Sequence, residues 1–293
     1  DGSNPNQLLR SADLAMYHAK ETGKNRFHFY QDEMNERAQS RLRIENELRV
    51  AIEEKSFELH YQPQVDIKSK GIIGFEALIR WPLKNGGYLA PVEFIPIAEE
   101  SGLIGEIGDW VIEQAVSDWS ELLKLNFHNA RMAVNVSAFQ FKQAGNLCRV
   151  ITDALAAHPL CSPQNLTIEL TESTLIEDIE DTIETLEALK RIGIALSIDD
   201  FGTGYSSLNY LKRFPVDQLK IDKSFVDDML QGERDEAIVT AIISIAQKLK
   251  MKIIAEGVES VEQANFLKEY ECNFAQGYLY YKPMPLDKIK SLI

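Results

Sequence analysis

Residues 56–80 read SFELHYQPQVDIKSKGIIGFEALIR, and this stretch decides the fold. Two β-rich runs, Phe57–Gln62 and Ile72–Ile79, are separated only by Pro63 to Gly71. A parallel crossover takes about a dozen residues or more, so these two strands are expected to run antiparallel. Further β-rich runs follow at Arg131–Val136, Leu166–Leu170, Ile194–Ile198, Gln218–Ile221, Lys252–Ala255 and Phe274–Tyr278. Helical patterns lie between them: Ile107–Leu125, Ala138–Ala157, Asp181–Ile192, Ser206–Arg213, Asp235–Leu249 and Val261–Tyr270. The expected fold class is α/β, a (β/α)8 TIM-type barrel with an antiparallel first strand.

Upstream of this unit the pattern changes. Leu8 to Lys20 reads as an amphipathic helix ending at Gly23, and Phe27-His28-Phe29-Tyr30 as one short strand. Residues 32–54 intersperse acids and bases on a helical pattern, which on composition alone reads as a solvated connector.

The chain has 293 residues and a net charge of −14, from 45 acids against 31 bases. An acidic surface repels a nucleic-acid polymer, so a coat for DNA or RNA is disfavoured. Clustered carboxylates can still hold divalent cations that attract a small phosphate ligand. Cys148, Cys161 and Cys272 form no CxxC pair, which suggests reduced thiols and a cytoplasmic setting. No apolar run approaches the ~18 residues that span a bilayer, and no signal peptide opens the chain. The start at Asp1, without Met, reads as a fragment of a longer protein whose parent is compatible with a membrane anchor.

Strands of a barrel wall are buried on both faces and should be apolar. Polar residues nevertheless recur at or near one end of these runs: Glu76, Asn135, Glu169, the Asp199-Asp200 pair, Lys220, Glu256 and Gln276. Barrel active sites sit at the C-terminal rim of the strands. A lone acid at such a place most often caps the next helix. Five carboxylates on one rim repel one another unless cations or protons neutralise them. Donors of the Asp, Glu and Asn type suit Mg²⁺, Mn²⁺ or Ca²⁺ rather than zinc. Asp199-Asp200 at a strand end could divide between two ions about 3.5–4 Å apart, the separation used to clamp a phosphate displacement. For Lys220 the plain alternative is a salt bridge to Asp222, and for Arg80 a surface ion pair. Gly202-Thr203-Gly204 reads as a turn, since no phosphate-loop lysine follows it. Trp81, Trp110 and Trp119 read as packing residues.

These residues resemble the EAL-domain family of cyclic-di-GMP phosphodiesterases. The resemblance runs from about Arg43 to Ile293. It is carried by Tyr61-Gln62-Pro63, EALIR at 76–80, FIPIAEESGLI at 94–104, VNVSAFQF at 134–141 and ELTES at 169–173. It continues through DDFGTGYSSL at 199–208, LKID at 219–222, AEGVE at 255–259 and QGY at 276–278. The resemblance implies hydrolysis of cyclic di-GMP to linear pGpG with two Mg²⁺ or Mn²⁺ ions. Ca²⁺ is expected to bind without supporting turnover. By motif position it implies Glu76, Asn135, Glu169 and Asp199 as ligands of one ion, and Asp199, Asp200 and Glu256 as ligands of the other. Lys220, with Glu256 and Asp200, is implied in catalysis. Gln62, Leu78, Arg80, Asp222 and Gln276 are implied in substrate binding, and Glu172 and Glu259 in support. Glu172 and the 199–208 loop resemble a segment that couples metal binding to dimerisation, so a homodimer through the face near 199–213 is implied.

The first thirty residues resemble the tail of a GGDEF domain. The matching residues are Asp1-Gly2, Leu8-Leu9, Ala12-Asp13, Ala15-Met16-Tyr17, Ala19-Lys20 and Gly23-Lys24-Asn25-Arg26. The expected layout is a GGDEF remnant over 1–31, a linker helix over 32–48 and the phosphodiesterase barrel over 49–293, with GGDEF and sensory domains upstream in the parent. Two other readings stay open at this level. One is a receptor that binds cyclic di-GMP without cutting it, and the other is a scaffold acting through the 32–54 helix.

Overall fold

The structure is a computed structural model, and it describes residues 4–21, 25–125, 127–176, 178–203 and 208–292. Its centre is a closed barrel of eight strands: β1 Glu58–Asp66, β2 Ile72–Pro82, β3 Arg131–Asn135, β4 Leu166–Thr171, β5 Ala195–Phe201, β6 Gln218–Ile221, β7 Lys252–Ala255 and β8 Phe274–Ala275. From β2 to β8 each strand pairs in parallel with the next. β1 is antiparallel to both neighbours, pairing Gln62 with Glu76 on β2 and Val65 with Ala275 on β8. The short connection in the sequence therefore has the consequence expected of it. Strands Tyr88–Leu89 and Met284–Pro285 are short additions at the edges.

Several elements differ from expectation. Residues 27–30 form no strand: they lie in an irregular stretch, with Phe27 and Phe29 exposed and their rings in edge contact. Without a neighbouring strand, β-rich residues have no ladder to join. The expected helix over 138–157 is broken into Ala138–Phe141 and Ala144–Ala157. Ser137 caps the first piece through a capping box with Gln140. The eighth strand stops at Ala275, and residues 206 and 207 of the expected helix over 206–213 lie outside the described residues.

The mixed-charge helix Asp32–Glu53 is more than a solvated connector. Its Ile44, Leu48 and Ala51 enter the barrel's hydrophobic core, and the helix passes residue 48 without a break. Trp119 is fully buried and donates to the Ala130 carbonyl at 3.0 Å, while Trp81 and Trp110 pack against Phe57. Cys148, Cys161 and Cys272 are free. Among the described residues, no helix is long and apolar enough to cross a membrane.

Strand alternation assigns the barrel interior. Gln62 and Gln64 face inward from β1, and Glu76 from β2. Their partners across the lumen are Ala133 and Asn135, Thr167 and Glu169, Ser197 and Asp199, Gln218 and Lys220, then Ile254 and Glu256. The hydrogen bonds Gln64–Gln276 at 3.1 Å and Gln218–Ser197 at 3.2 Å confirm that phase. A barrel core is usually filled by branched apolar residues. Here polar residues share the interior with Ala133 and Ile254, and the pairs Gln64–Gln276 and Gln218–Ser197 are each hydrogen-bonded.

Candidate active site

At the C-terminal mouth, the centre is Lys220, which is fully buried. Its Nζ lies 2.7 Å from Glu169 Oε2, 2.7 Å from Glu256 Oε1, 3.2 Å from Asp199 Oδ2 and 3.5 Å from Glu76 Oε2. The expected alternative partner, Asp222, is elsewhere: it caps helix Lys223–Asp228 and accepts from Ser224 N at 3.0 Å. Burial alone would lower the pKa of the ammonium. The carboxylates of Asp199, Glu169, Glu256 and Glu76 outweigh that and hold the Lys220 pKa well above its ordinary value.

Glu76 is buried on β2 and held by two amides. Asn135 Nδ2 donates to its Oε1 at 2.6 Å, and Gln276 Nε2 donates to its Oε2 at 2.5 Å. Burial raises its pKa, but Lys220 and these amides win and pull it below the usual value. Glu169 behaves oppositely. Burial, reinforced by the charges of Glu76 and Asp199, drives it well above the usual carboxylate range despite Lys220. Among the described residues, its Oε1 is buried with no hydrogen-bond partner. An orphaned buried carboxylate oxygen is costly unless something fills its lone pairs.

Asp199 and Asp200 reach the same mouth because the backbone departs from strand geometry. The register against β6 shifts between Ile198 and Phe201, and Asp200 takes a left-handed φ of 52°. In a regular strand consecutive side chains point to opposite faces; this bulge re-aims the second. Asp200 N donates to Asp199 Oδ1 at 2.9 Å. Burial, then the charges of Asp199 and Asp222, push Asp200 up to about 6. Burial likewise pushes Glu256 up to about 8.

Two groups of carboxylates can each hold a cation. In Glu76, Glu169 and Asp199, and again in Asp199, Asp200 and Glu256, one oxygen per residue lies within 4.8 Å of the others. Asp199 belongs to both. When all five are ionised, these carboxylates around one ammonium leave four charges uncompensated, the charge that two divalent cations carry. The all-oxygen donor set, with the orphaned Glu169 oxygen inside it, fits hard divalent cations.

The expected supporting residues surround this centre. Gln62 Oε1 accepts from Gln276 at 3.0 Å, and its amide donates to the Tyr281 carbonyl at 3.1 Å. Leu78 is half-buried opposite His60. Arg80 is half-buried; its guanidinium donates to the Ile79 carbonyl at 2.8 Å and forms no ion pair among the described residues. The surface ion pair considered for it is therefore not made. Glu172 is buried and accepts from Gly202 N at 2.8 Å. Glu259 is exposed and paired with Lys223. Gln64 was missed. Its Nε2 donates to Gln276, and the signal was its two-residue spacing from Gln62, which places both on one face of β1.

The family model described as EAL domain matches residues 45–283. Among curated proteins, the chain is 43% identical over 289 residues to the bifunctional diguanylate cyclase/cyclic di-GMP phosphodiesterase MucR of Pseudomonas aeruginosa, covering 99% of this chain and 42% of that protein. It is 41% identical over 293 residues to the cyclic di-GMP phosphodiesterase NbdA of the same organism, covering 100% of this chain and 37% of that protein. The chain thus spans less than half the length of these relatives. Among solved structures, the PaMucR phosphodiesterase in complex with c-di-GMP superposes with a TM-score of 0.81 at 42% identity, over 84% of this chain and 99% of that one. The EAL enzyme Bd1971 in its cAMP- and cyclic-di-GMP-bound form gives 0.83 at 35% identity, over 100% of this chain and 76% of that one.

Proposed function

This chain belongs to the EAL-domain family, and from that premise we propose that it hydrolyses cyclic di-GMP to linear pGpG. The observation that carries the proposal is the fully buried Lys220 inside a ring of carboxylates at the barrel's C-terminal mouth. Glu76, Asn135, Glu169 and Asp199 would hold one divalent cation, and Asp199, Asp200 and Glu256 a second. We assign Mg²⁺ or Mn²⁺ for turnover, with Ca²⁺ binding unproductively. Bound cations supply Lewis acidity, making water a nucleophile near neutral pH and offsetting charge on the phosphate.

The side chains do the rest. Lys220 presents fixed N–H donors that orient the attacking water. Glu256 and Asp200, once a bound cation has displaced their own protons, would be the groups that take the water's proton. Arg80, free of any carboxylate among the described residues, can fork onto the non-bridging phosphate oxygens. Gln62, Leu78, Asp222 and Gln276 would line the substrate pocket, with Glu172 and Glu259 in support. We further propose a homodimer through the face near 199–213. The layout proposed is a GGDEF remnant over 1–31, a linker over 32–48 and the barrel over 49–293, within a cytoplasmic portion of a parent carrying GGDEF and sensory domains.

The test is pGpG formation with Mg²⁺, with EDTA, and in Glu76→Ala. Product only in the Mg²⁺ sample of the unmodified chain is the expected result. Binding without product in every condition would make the chain a receptor, and no binding at all would leave a scaffold.

A further inference from the structure

The opposite, N-terminal mouth of the barrel holds two cations that line one cavity and are not engaged in ion pairs among the described residues. Arg131 is the first residue of β3 and Lys252 the first of β7. Each is four residues before an inward-facing site residue, Asn135 and Glu256, so both are in the inward phase at the other end of the lumen. Their strands stand four apart in a cycle of eight, on opposite sides of the barrel. A cavity of about 450 Å³ opens there, lined by Arg131 and Lys252 together with Phe127, His128, Phe274 and Ile72. Among the described residues neither cation forms an ion pair.

Asp217, the carboxylate whose charge acts on Lys252, is already committed. Both its oxygens lie 2.8 Å from Lys190 Nζ, and one also accepts from Leu196 N. Burial, then the Arg131 guanidinium, hold the Lys252 pKa below its ordinary value, with Asp217 pulling the other way. In a chain of net charge −14, two half-buried cations left facing each other are a cost that an anion would relieve. Inside the lumen, Gln64 bonds to Gln276 and Gln218 to Ser197, so these polar groups are already partnered.

We infer that this second mouth binds a small anion carrying a flat ring, its phosphate or carboxylate between Arg131 and Lys252 and its ring between Phe127 and Phe274. The cavity volume suits one ring and one anionic group. The guanidinium supplies a planar fork for the anion, and the two phenyl groups supply edge and face contacts for the ring. The site is distinct from the proposed catalytic end and does not depend on it.

The experiment is a calorimetric titration of the full chain in EDTA, where the upper carboxylates repel anions. The probes are phenyl phosphate, benzoate and inorganic phosphate, and NMR follows the amides of Ala130–Met132 and Lys252–Ile253. Saturable binding of phenyl phosphate or benzoate, with shifts at those amides, is expected; which of the two binds more tightly identifies the anionic group. Arg131→Gln and Lys252→Gln should each weaken binding about tenfold, whereas Glu76→Ala should leave it unchanged. Absence of saturable binding, undiminished affinity in either Gln variant, or loss of binding in Glu76→Ala would each overturn the proposal. Inorganic phosphate binding as tightly as phenyl phosphate would overturn the ring contact.

Discussion

Lys220 Nζ sits 2.7 Å from one oxygen of Glu169, while the other oxygen of that carboxylate is buried without a partner among the described residues. One side chain therefore both pairs with the ammonium in the ring and offers a second oxygen as a donor for a cation. Replacing Lys220 by Met should destabilise the cation-free protein by about 3–5 kcal/mol, because the surrounding carboxylates lose their shared counter-charge. Mn²⁺ should restore much of that stability but not the activity, which should stay down by about 10²–10⁴-fold. Thermal melts with and without Mn²⁺, beside a pGpG assay, read both effects.

Cation binding should strengthen with pH. Glu256 at about 8 and Asp200 at about 6 carry protons that a cation must displace. The melting-temperature gain on adding Mn²⁺ should therefore be larger at about pH 8.5 than at about pH 6. Without cations the sign reverses. A carboxyl raised from 4.5 to about 8 binds its proton more tightly when folded, so its contribution declines as pH climbs through that window and levels off above it. Glu256→Gln should flatten both dependences, and an unchanged pH profile in that variant would refute the assignment.

Glu172 fastens the end of β4 to the turn after β5 through Gly202 N, one residue beyond the strand that carries Asp199 and Asp200. Glu172→Ala leaves that amide without its acceptor, at about 1–3 kcal/mol. Hydrogen exchange over 199–203 should accelerate, and cation affinity should fall with it. Slow exchange retained in the variant would mean the turn is held by other contacts.

Gly277 cannot carry a side chain. A Cβ there would lie 2.1 Å from the Val258 carbonyl oxygen and 2.3 Å from its nitrogen, and both are backbone. Gly277→Ala should destabilise by about 1–3 kcal/mol and displace Gln276 from Glu76. The readout is a lowered melting temperature accompanied by a raised KM.

Arg80→Lys keeps the charge but loses the planar fork. KM should rise about tenfold with a smaller change in kcat, as expected for a contact made in ground and transition states alike.

The barrel was legible because its wall has a simple rule. Apolar runs at regular spacing become strands, and one connection too short for a crossover becomes the antiparallel joint. The rim residues were legible for a related reason: a glutamate or lysine on such a run contradicts its surroundings. What sequence could not give was direction within the lumen. That Lys220 would choose Glu169 and Glu256 over nearby Asp222 depends on Asp222 being taken by the Ser224 amide. That Asp200 joins Asp199 rather than facing away depends on one left-handed φ. Phe27–Tyr30 failed for the opposite reason: local propensity was present, but no partner strand was.

Because β1 runs backwards between β2 and β8, the stave that closes the barrel is also the one that brings Gln62 and Gln64 to Gln276, across sequence separations of 214 and 212 residues. The amide latch on Glu76 can thus form only when the two ends of the folding unit meet. Ring closure and pocket completion become a single late event, slow by the logic of long-range contacts. A nascent or truncated chain lacking its last strand would expose the acidic cluster without the latch, and so would be unable to act before it is whole.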